Sequence, residues 1–164
     1  TRKKDLGMLA SAYGNVYVAQ IALGADNAQT VKALAEADAY DGPSLVIAYA
    51  HCIAHGIEMA KGMEQQKAAV DTGYWPLYRY DPRSSRLGER PLKLDSRKPK
   101  LSLSAFTDRE ARFAVLKRAH PEEAERLGAL AQEDVDERWH VYEQLADVEH
   151  AAPAPHEEKE QEDT

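Results

Sequence analysis

The chain has 164 residues, of which 43% are hydrophobic and 30% are charged, as is typical of one soluble globular domain or of part of a larger protein. Its net charge is −7, and residues 151–164 contribute five acids against one lysine. The remainder is close to neutral and has no basic face, so we expect no nucleic-acid partner.

A single cysteine excludes an internal disulfide bond and favours a reducing compartment, so we expect a cytoplasmic protein. No apolar run approaches the ~18 residues of a membrane-spanning helix, and we expect no membrane partner. The run after the basic start Arg2-Lys3-Lys4 is interrupted by Asp5, Gly7 and Ser11, which is not the pattern of a signal peptide. The chain begins with threonine rather than methionine, so we expect either a processed protein or, as the favoured interpretation, a piece of a longer polypeptide.

The first third of the chain alternates predicted helices and strands. Apolar spacing predicts a helix over residues 4–13, and β-branched and aromatic residues predict a strand over residues 15–23. Asn27 is suited to cap a second helix. The apolar face predicted for that helix consists of Val31, Leu34 and Ala35.

The next stretch, residues 44–50, is apolar without alternation, which predicts a strand that is covered on both faces. Helix, strand, helix and strand in this order, with short connections, indicate an α/β protein with a doubly wound parallel sheet. In such sheets the carboxyl ends of the strands line the ligand crevice. Cys52 follows directly after this second strand.

The middle of the chain predicts one helix and two short strands. Residues 57–70 favour a helix with Met59, Met63 and Val70 as core residues, and Gly73 ends it. Residues 74–80 predict a strand at a sheet edge, because they include Pro76. We interpret residues 81–100 as an irregular excursion with a short strand near Leu92 and Leu94.

The last third is predicted to be helical. Thr107 and Glu110 have the spacing of a capping box, and His120-Pro121 separates two helices. We interpret residues 151–164 as a disordered acidic tail. A stripe at helical spacing indicates the packed face of the long final helix: Ala124, Leu127, Leu130, Ala131, Val135, Trp139, Tyr142 and Leu145.

Three roles are open for Cys52 on the residues alone. It is an inert buried thiol, a nucleophile with His51 or His55 as its base, or a metal ligand. A zinc site built on Cys52 and His55 needs two more ligands, and an iron–sulfur cluster needs thiolates that other segments must supply. The remaining histidines show no ligand spacing: His120, His140, His150 and His156.

The glycines form no phosphate-binding motif of the G-x-G-x-x-G or P-loop type, and the acids Glu64, Asp71 and Asp81 are isolated. On these patterns the chain does not carry a complete active site. The chemistry of Cys52 therefore depends on what other segments bring to it.

Five blocks of the sequence stand out in order along the chain: RKKDLG (residues 2–7), YGNVYVA (13–19), GPSLVIAYAHCI (42–53), GYWPLYRYDP (73–82) and RFAVL (112–116). Together these blocks resemble the C-terminal part of pyruvate:ferredoxin (flavodoxin) oxidoreductase. The resemblance runs from the first residues to about Leu145.

The resemblance implies half of a thiamine-diphosphate-binding-type parallel sheet flanked by helices, followed by C-terminal helices. It implies a large homodimeric enzyme that oxidatively decarboxylates pyruvate on thiamine diphosphate and magnesium and forms acetyl-CoA and CO2 with coenzyme A. Electrons pass through [4Fe–4S] clusters to ferredoxin or flavodoxin. The Gly-Asp-Gly…Asn motif that holds the diphosphate and magnesium lies upstream in that family, so we expect no activity from this segment alone.

By the same resemblance, Cys52 occupies the position of the fourth ligand of the [4Fe–4S] cluster nearest thiamine. The expected organisation is residues 1–82 as the C-terminal half of the thiamine-diphosphate-binding domain, 83–103 as the excursion, 104–150 as a helical segment and 151–164 as the tail. Two alternatives stay open. One is a non-catalytic structural or dimerisation module with a buried Cys52, and the other is a related enzyme for a different 2-oxoacid.

Overall fold

A computed structural model describes residues 4–149 of the chain. The predicted tail at residues 151–164 and the basic start at residues 2–3 lie outside this range. Four strands are described: β1 (Tyr17–Ile21), β2 (Ser44–Ala48), β3 (Tyr78–Tyr80) and β4 (Leu92–Leu94). Seven α-helices are described: α1 (Leu6–Ser11), α2 (Asn27–Asp38), α3 (Gly62–Asp71), α4 (Pro82–Arg86), α5 (Ser104–Thr107), α6 (Ala111–Ala119) and α7 (Pro121–Ala146).

The four strands form one sheet in the order β2-β1-β3-β4. β1 and β2 run parallel, with Tyr17 opposite Ser44 and Ile21 opposite Ala48. β3 pairs antiparallel with both β1 and β4. The predicted α/β class is confirmed, and the sheet is mixed because its third and fourth strands reverse direction.

The two parallel strands differ in burial. Every residue of β1 is buried, whereas β2 forms an edge of the sheet and is only partly covered. The prediction that residues 44–50 are covered on both faces is wrong for the described chain. Within residues 4–149, β2 has a neighbouring strand on one side only, and both of its end residues are exposed.

Helix α2 packs against the sheet through a different face from the predicted one. Its buried residues are Gln29, Thr30 and Ala33, while Val31 and Leu34 are exposed. The side chain of Asp26, not of Asn27, caps the helix, with Oδ1 accepting a hydrogen bond of 2.8 Å from the Gln29 backbone N–H. Two polar side chains and one alanine are therefore buried, whereas the larger apolar side chains Val31 and Leu34 point to solvent.

Helix α3 begins later than predicted. Two 3₁₀ turns, Ile53–His55 and Met59–Lys61, precede it, and the α-helix starts at Gly62. Met59 and Met63 are exposed, so the prediction that they are core residues is wrong, whereas Val70 is buried as predicted. Gly73 ends this region with a φ of 73°, a conformation that favours glycine.

Strand β3 lies inside the sheet, between β1 and β4. The predicted edge position is wrong because Pro76 precedes the strand and takes no ladder position. The side chain of Arg79 in β3 is 7% exposed. Its guanidinium donates to Glu36 Oε1 at 2.5 Å and to both oxygens of Asp95 at 2.8 Å, which joins α2, β3 and the segment after β4.

The predicted capping box at Thr107 and Glu110 is wrong. Thr107 is the last residue of α5, and α6 begins at Ala111 without a side-chain cap. The Glu110 carboxylate accepts hydrogen bonds from Gln65 Nε2 of α3 and from Arg112 Nε in the first turn of α6, not from a backbone N–H of the helix. A tertiary partner therefore overrides the local motif.

Helix α7 begins at Pro121 as predicted and packs on two parts of the core. Val135 joins a cluster with Phe106, and Tyr142 joins one with Val18 and Tyr78. The predicted stripe is buried at Val135, Trp139 and Tyr142 but exposed at Leu127 and Leu130. Of the helices within residues 4–149, none combines the length and apolar character needed to cross a bilayer.

Candidate functional site

Cys52 lies at the sheet edge formed by the carboxyl ends of β1 and β2. Its thiol is free and half-buried, and it is not part of the hydrophobic core. The backbone is extended there, with φ −122° and ψ 127°, and the 3₁₀ turn Ile53–His55 follows directly. The Cys52 carbonyl accepts a hydrogen bond of 3.0 Å from the His55 N–H.

The loop that carries Cys52 is anchored at its beginning by Tyr49. The Tyr49 N–H donates to the Ile21 carbonyl at 2.9 Å, which continues the parallel pairing past β2. Its ring packs edge-on against Trp75, with 5.4 Å between ring centroids. Burial, and secondly the negative charge of Glu110, raise the pKa of the Tyr49 hydroxyl to about 12.

His51, next to the cysteine, faces helix α3. Its Nδ1 lies 3.4 Å from Gln66 Nε2, and its ring covers Gly62 so closely that an added Cβ would lie 2.4 Å from His51 Nε2. The Gln66 Oε1 atom accepts a hydrogen bond of 2.8 Å from the Gly24 N–H. Gln66 therefore links the loops that follow β1 and β2.

His55, on the other side of the cysteine, faces a buried carboxylate. Its Nδ1 lies 3.9 Å from Glu110 Oε2, and its Nε2 lies 3.5 Å from Arg112 Nη1. The two histidine rings flanking Cys52 therefore have their contacts with α3 and with the start of α6. This arrangement does not support the hypothesis of a nucleophilic thiol with a histidine base, since the base must lie within hydrogen-bond reach of the thiol.

Within residues 4–149, no three His, Cys, Asp or Glu side chains cluster closely enough to hold a metal ion. His140 lies in α7, with Nε2 3.2 Å from Gln144 Nε2, and His120 precedes that helix. Any metal or cluster at Cys52 therefore needs ligands from other segments. His150 and His156 lie outside the described residues.

The surroundings of Cys52 fit one corner of an iron–sulfur cluster. The thiol is free, half-exposed and at the crevice edge of a parallel strand pair, where a cofactor can approach it. The neighbouring Ile53 is 71% exposed, and Leu23, Met59 and Met63 are also exposed. An exposed apolar side chain next to a ligand, as Ile53 is next to Cys52, shields a cluster from solvent once further protein covers it.

Four residues of the site are missed by sequence analysis: Gln65, Gln66, Glu110 and Arg112. Their sequence signals are those of ordinary surface-helix residues, and Glu110 additionally fits a capping motif. Only the fold brings α3 and the start of α6 to the Cys52 loop. No local pattern contains this information.

No protein-family model matches the chain. A putative pyruvate-flavodoxin oxidoreductase of a Synechocystis species is 56% identical over 144 residues, which covers 88% of this chain and 12% of that protein. A pyruvate:ferredoxin oxidoreductase of Moorella thermoacetica is 50% identical over 147 residues, which covers 90% of this chain and 13% of that protein.

A more distant relative is the mitochondrial pyruvate dehydrogenase [NADP(+)] of Euglena gracilis. It is 44% identical over 147 residues, which covers 88% of this chain and 8% of that protein. The chain thus spans between 8% and 13% of the length of these three curated relatives.

Proposed function

Because the chain matches one segment of the pyruvate-flavodoxin and pyruvate:ferredoxin oxidoreductases, we propose that it works as part of a larger enzyme of this class. The proposed reaction is oxidative decarboxylation of pyruvate to acetyl-CoA and CO2, with pyruvate and coenzyme A as substrates. We further propose that this enzyme is a homodimer and that it acts in the cytoplasm. The segment alone is not active, because the residues that hold thiamine diphosphate and magnesium lie elsewhere in the enzyme.

The proposed contribution of this segment is the Cys52 thiolate, as one ligand of a [4Fe–4S] cluster that passes electrons one at a time. The position of Cys52 carries this proposal: a free, half-buried thiol at the carboxyl end of a parallel strand. The loop around it is held by Tyr49, His51 and His55, so the sulfur is presented in a defined place.

The edge position and partial burial of β2 support the proposal that the sheet is larger in the whole enzyme. It is an edge strand with an apolar sequence and incomplete cover in the described chain. An apolar edge strand left open is a site for pairing with further chain. We propose that residues 1–82 complete a thiamine-diphosphate-binding domain with the preceding part of the enzyme, followed by segments 83–103, 104–150 and 151–164.

The proposed electron acceptor is ferredoxin or flavodoxin. These proteins occur in the names of relatives that are 50–56% identical to the chain. NADP(+) occurs in the name of a relative that is 44% identical. The greater similarity to the first group supports a protein acceptor.

The experiment that tests the proposal counts iron in the full-length enzyme after Cys52→Ala and Cys52→Ser substitution. We expect both variants to lose about four irons per chain, which is one cluster's worth. We also expect them to lose electron transfer to ferredoxin and flavodoxin. Val31→Ala, at an exposed apolar side chain of α2, serves as the control and should keep its iron. An unchanged iron content in both cysteine variants contradicts the proposal and supports the alternative of a structural thiol.

A further inference from the structure

Glu110 is the most deeply buried carboxylate in the described part of the chain, with 1% of its side chain exposed. Burying a charge is costly unless it is paired and hydrogen-bonded. Oε1 accepts a hydrogen bond of 3.0 Å from Gln65 Nε2, and Oε2 accepts one of 2.5 Å from Arg112 Nε. Three polar side chains, those of Glu110, Gln65 and Arg112, therefore interact at this buried carboxylate.

These contacts meet at the loop that carries Cys52. Glu110 Oε2 lies 3.9 Å from His55 Nδ1. The Ala111 N–H donates to the Gly56 carbonyl at 3.2 Å, and Arg112 Nη1 lies 3.5 Å from His55 Nε2. Three consecutive residues thus hold the end of the 3₁₀ turn that begins after Cys52.

The close approach at Gly56 shows how tightly this end is held. Gly56 has a φ of 71°, and a Cβ added there would lie 2.4 Å from the Ala111 Cβ. The opposite end of the turn is tied to Cys52, whose carbonyl accepts from the His55 N–H at 3.0 Å. One residue, His55, therefore lies between the Glu110 carboxylate and the backbone of the cysteine.

We infer that Glu110 is the positioning residue for Cys52: its buried carboxylate, paired with Arg112 and Gln65, fixes the turn that presents the thiolate to the cluster. This inference rests on the proposed function, because it assigns Glu110 a role toward the ligand named there. Glu110 does not touch the cluster. It acts through His55 and the Ile53–His55 turn.

The variants are made in the full-length enzyme with its iron and sulfide restored. Glu110→Ala removes both acceptors, whereas Glu110→Gln keeps the volume and the acceptor for Gln65 but removes the charge that pairs with Arg112. The matched control is Glu64→Ala, an exposed carboxylate near the start of α3. Three properties are measured: hydrogen exchange of residues 51–57, the electron paramagnetic resonance spectrum of the clusters, and their midpoint potentials.

We expect amide exchange of residues 51–57 to be about tenfold faster in Glu110→Ala, since a buried acceptor is lost, and smaller acceleration in Glu110→Gln. We expect an altered spectrum and a positive shift in one cluster potential in both variants, because removal of a buried negative charge favours the reduced cluster. Glu64→Ala should match the unaltered enzyme. Retention of iron in Glu110→Gln distinguishes positioning from ligation.

Unchanged exchange, spectrum and potential in Glu110→Gln would overturn the inference, even if the melting temperature falls, because a purely structural residue affects stability alone. If Glu110→Ala fails to fold, Glu110→Gln carries the same test. A failure of the proposed function would be seen in a different measurement, because Cys52→Ala would then keep its full iron content. In that case, amide exchange at residues 51–57 still reports whether Glu110 holds the turn.

Discussion

Cys52 and Glu110 show how two side chains of different burial can serve one site. The thiol is half-exposed at the edge of the sheet, where a cofactor can reach it. The carboxylate is buried and has three side-chain neighbours, Gln65, Arg112 and His55. The half-buried Cys52 carries the proposed chemistry, and the buried Glu110 is proposed to fix the backbone of the loop that carries Cys52.

Gly56 ends the 3₁₀ turn that follows Cys52, and we expect the backbone of this turn to be sensitive to substitution there. We expect Gly56→Ala to lower the free energy of unfolding by about 2–4 kcal/mol, through its left-handed φ of 71° and its collision with Ala111. Gly14 has the same φ but nothing within 4 Å of an added Cβ, so Gly14→Ala should cost about 1 kcal/mol. Urea unfolding of the 164-residue chain measures both values. Equal losses would show that Ala111 does not restrict the turn.

Among the secondary-structure elements, the parallel pair β1 and β2 positions the site, and side chains from other elements hold it. β1 is buried throughout, and the loop after β2 contacts α3 through His51 and the start of α6 through His55. The antiparallel strands β3 and β4 extend the sheet on the other side of β1. The ion cluster of Arg79 connects this second half of the sheet to α2.

Arg79 is expected to be critical for this connection. Arg79→Ala should lower the free energy of unfolding by about 2–4 kcal/mol, because it removes a buried guanidinium and leaves the partly buried Glu36 and Asp95 without their shared partner. The control is Arg126→Ala, which breaks an exposed pair with Glu123 and should cost less than about 1 kcal/mol. Denaturant unfolding compares the two. Similar small losses would contradict the structural importance of the cluster.

Helix α7 contains Gly128 in its interior, where an added Cβ meets nothing within 4 Å. We expect Gly128→Ala to raise the free energy of unfolding by about 0.5–1 kcal/mol, since alanine restricts the unfolded chain and favours the helix. Thermal unfolding followed by circular dichroism measures the gain. A loss of stability would show that this turn of α7 is not a regular exposed helix.

Sequence patterns predicted the elements well and their partners less well. Residues 17–21 and 44–48 are strands as expected, because β-branched and apolar runs report local preference. The predicted buried face of α2 is wrong, because Gln29, Thr30 and Ala33 are buried and the apolar Val31 and Leu34 are exposed. The sequence places Glu110 in a local capping motif. Its actual partners are Gln65, which is 45 positions away in the chain, and Arg112, which is 2 positions away.

At the scale of the whole molecule, one sheet and helix α7 bring the separate cores together. Tyr142 from α7 packs on Tyr78, with 4.9 Å between ring centroids, and donates a hydrogen bond of 2.6 Å to Asp5 Oδ2. Residues at both ends of the described chain therefore meet on the sheet. The incomplete cover of β2 and the exposed apolar residues near Cys52 are where the rest of the proposed enzyme would add its surface.

Buried tyrosines predict a loss of stability at high pH. Burial raises the pKa of Tyr49 and of Tyr78 from 10.0 to about 12. Between these two values the folded chain keeps protons that the unfolded chain has lost. The contribution of the two tyrosines to the free energy of unfolding is therefore complete below pH 10.0 and disappears as the pH rises to about 12. Urea unfolding between pH 9 and 12 should show this decline. Constant stability across the interval would contradict the burial of these hydroxyls.

An anomalous difference map, recorded at the iron edge from crystals of the full-length enzyme, would locate each cluster relative to the Cys52 sulfur. We expect a cluster peak within bonding distance of this sulfur, next to the loop held by His51 and His55. A map that places every iron away from this sulfur, with Cys52 covered only by protein atoms, would contradict it.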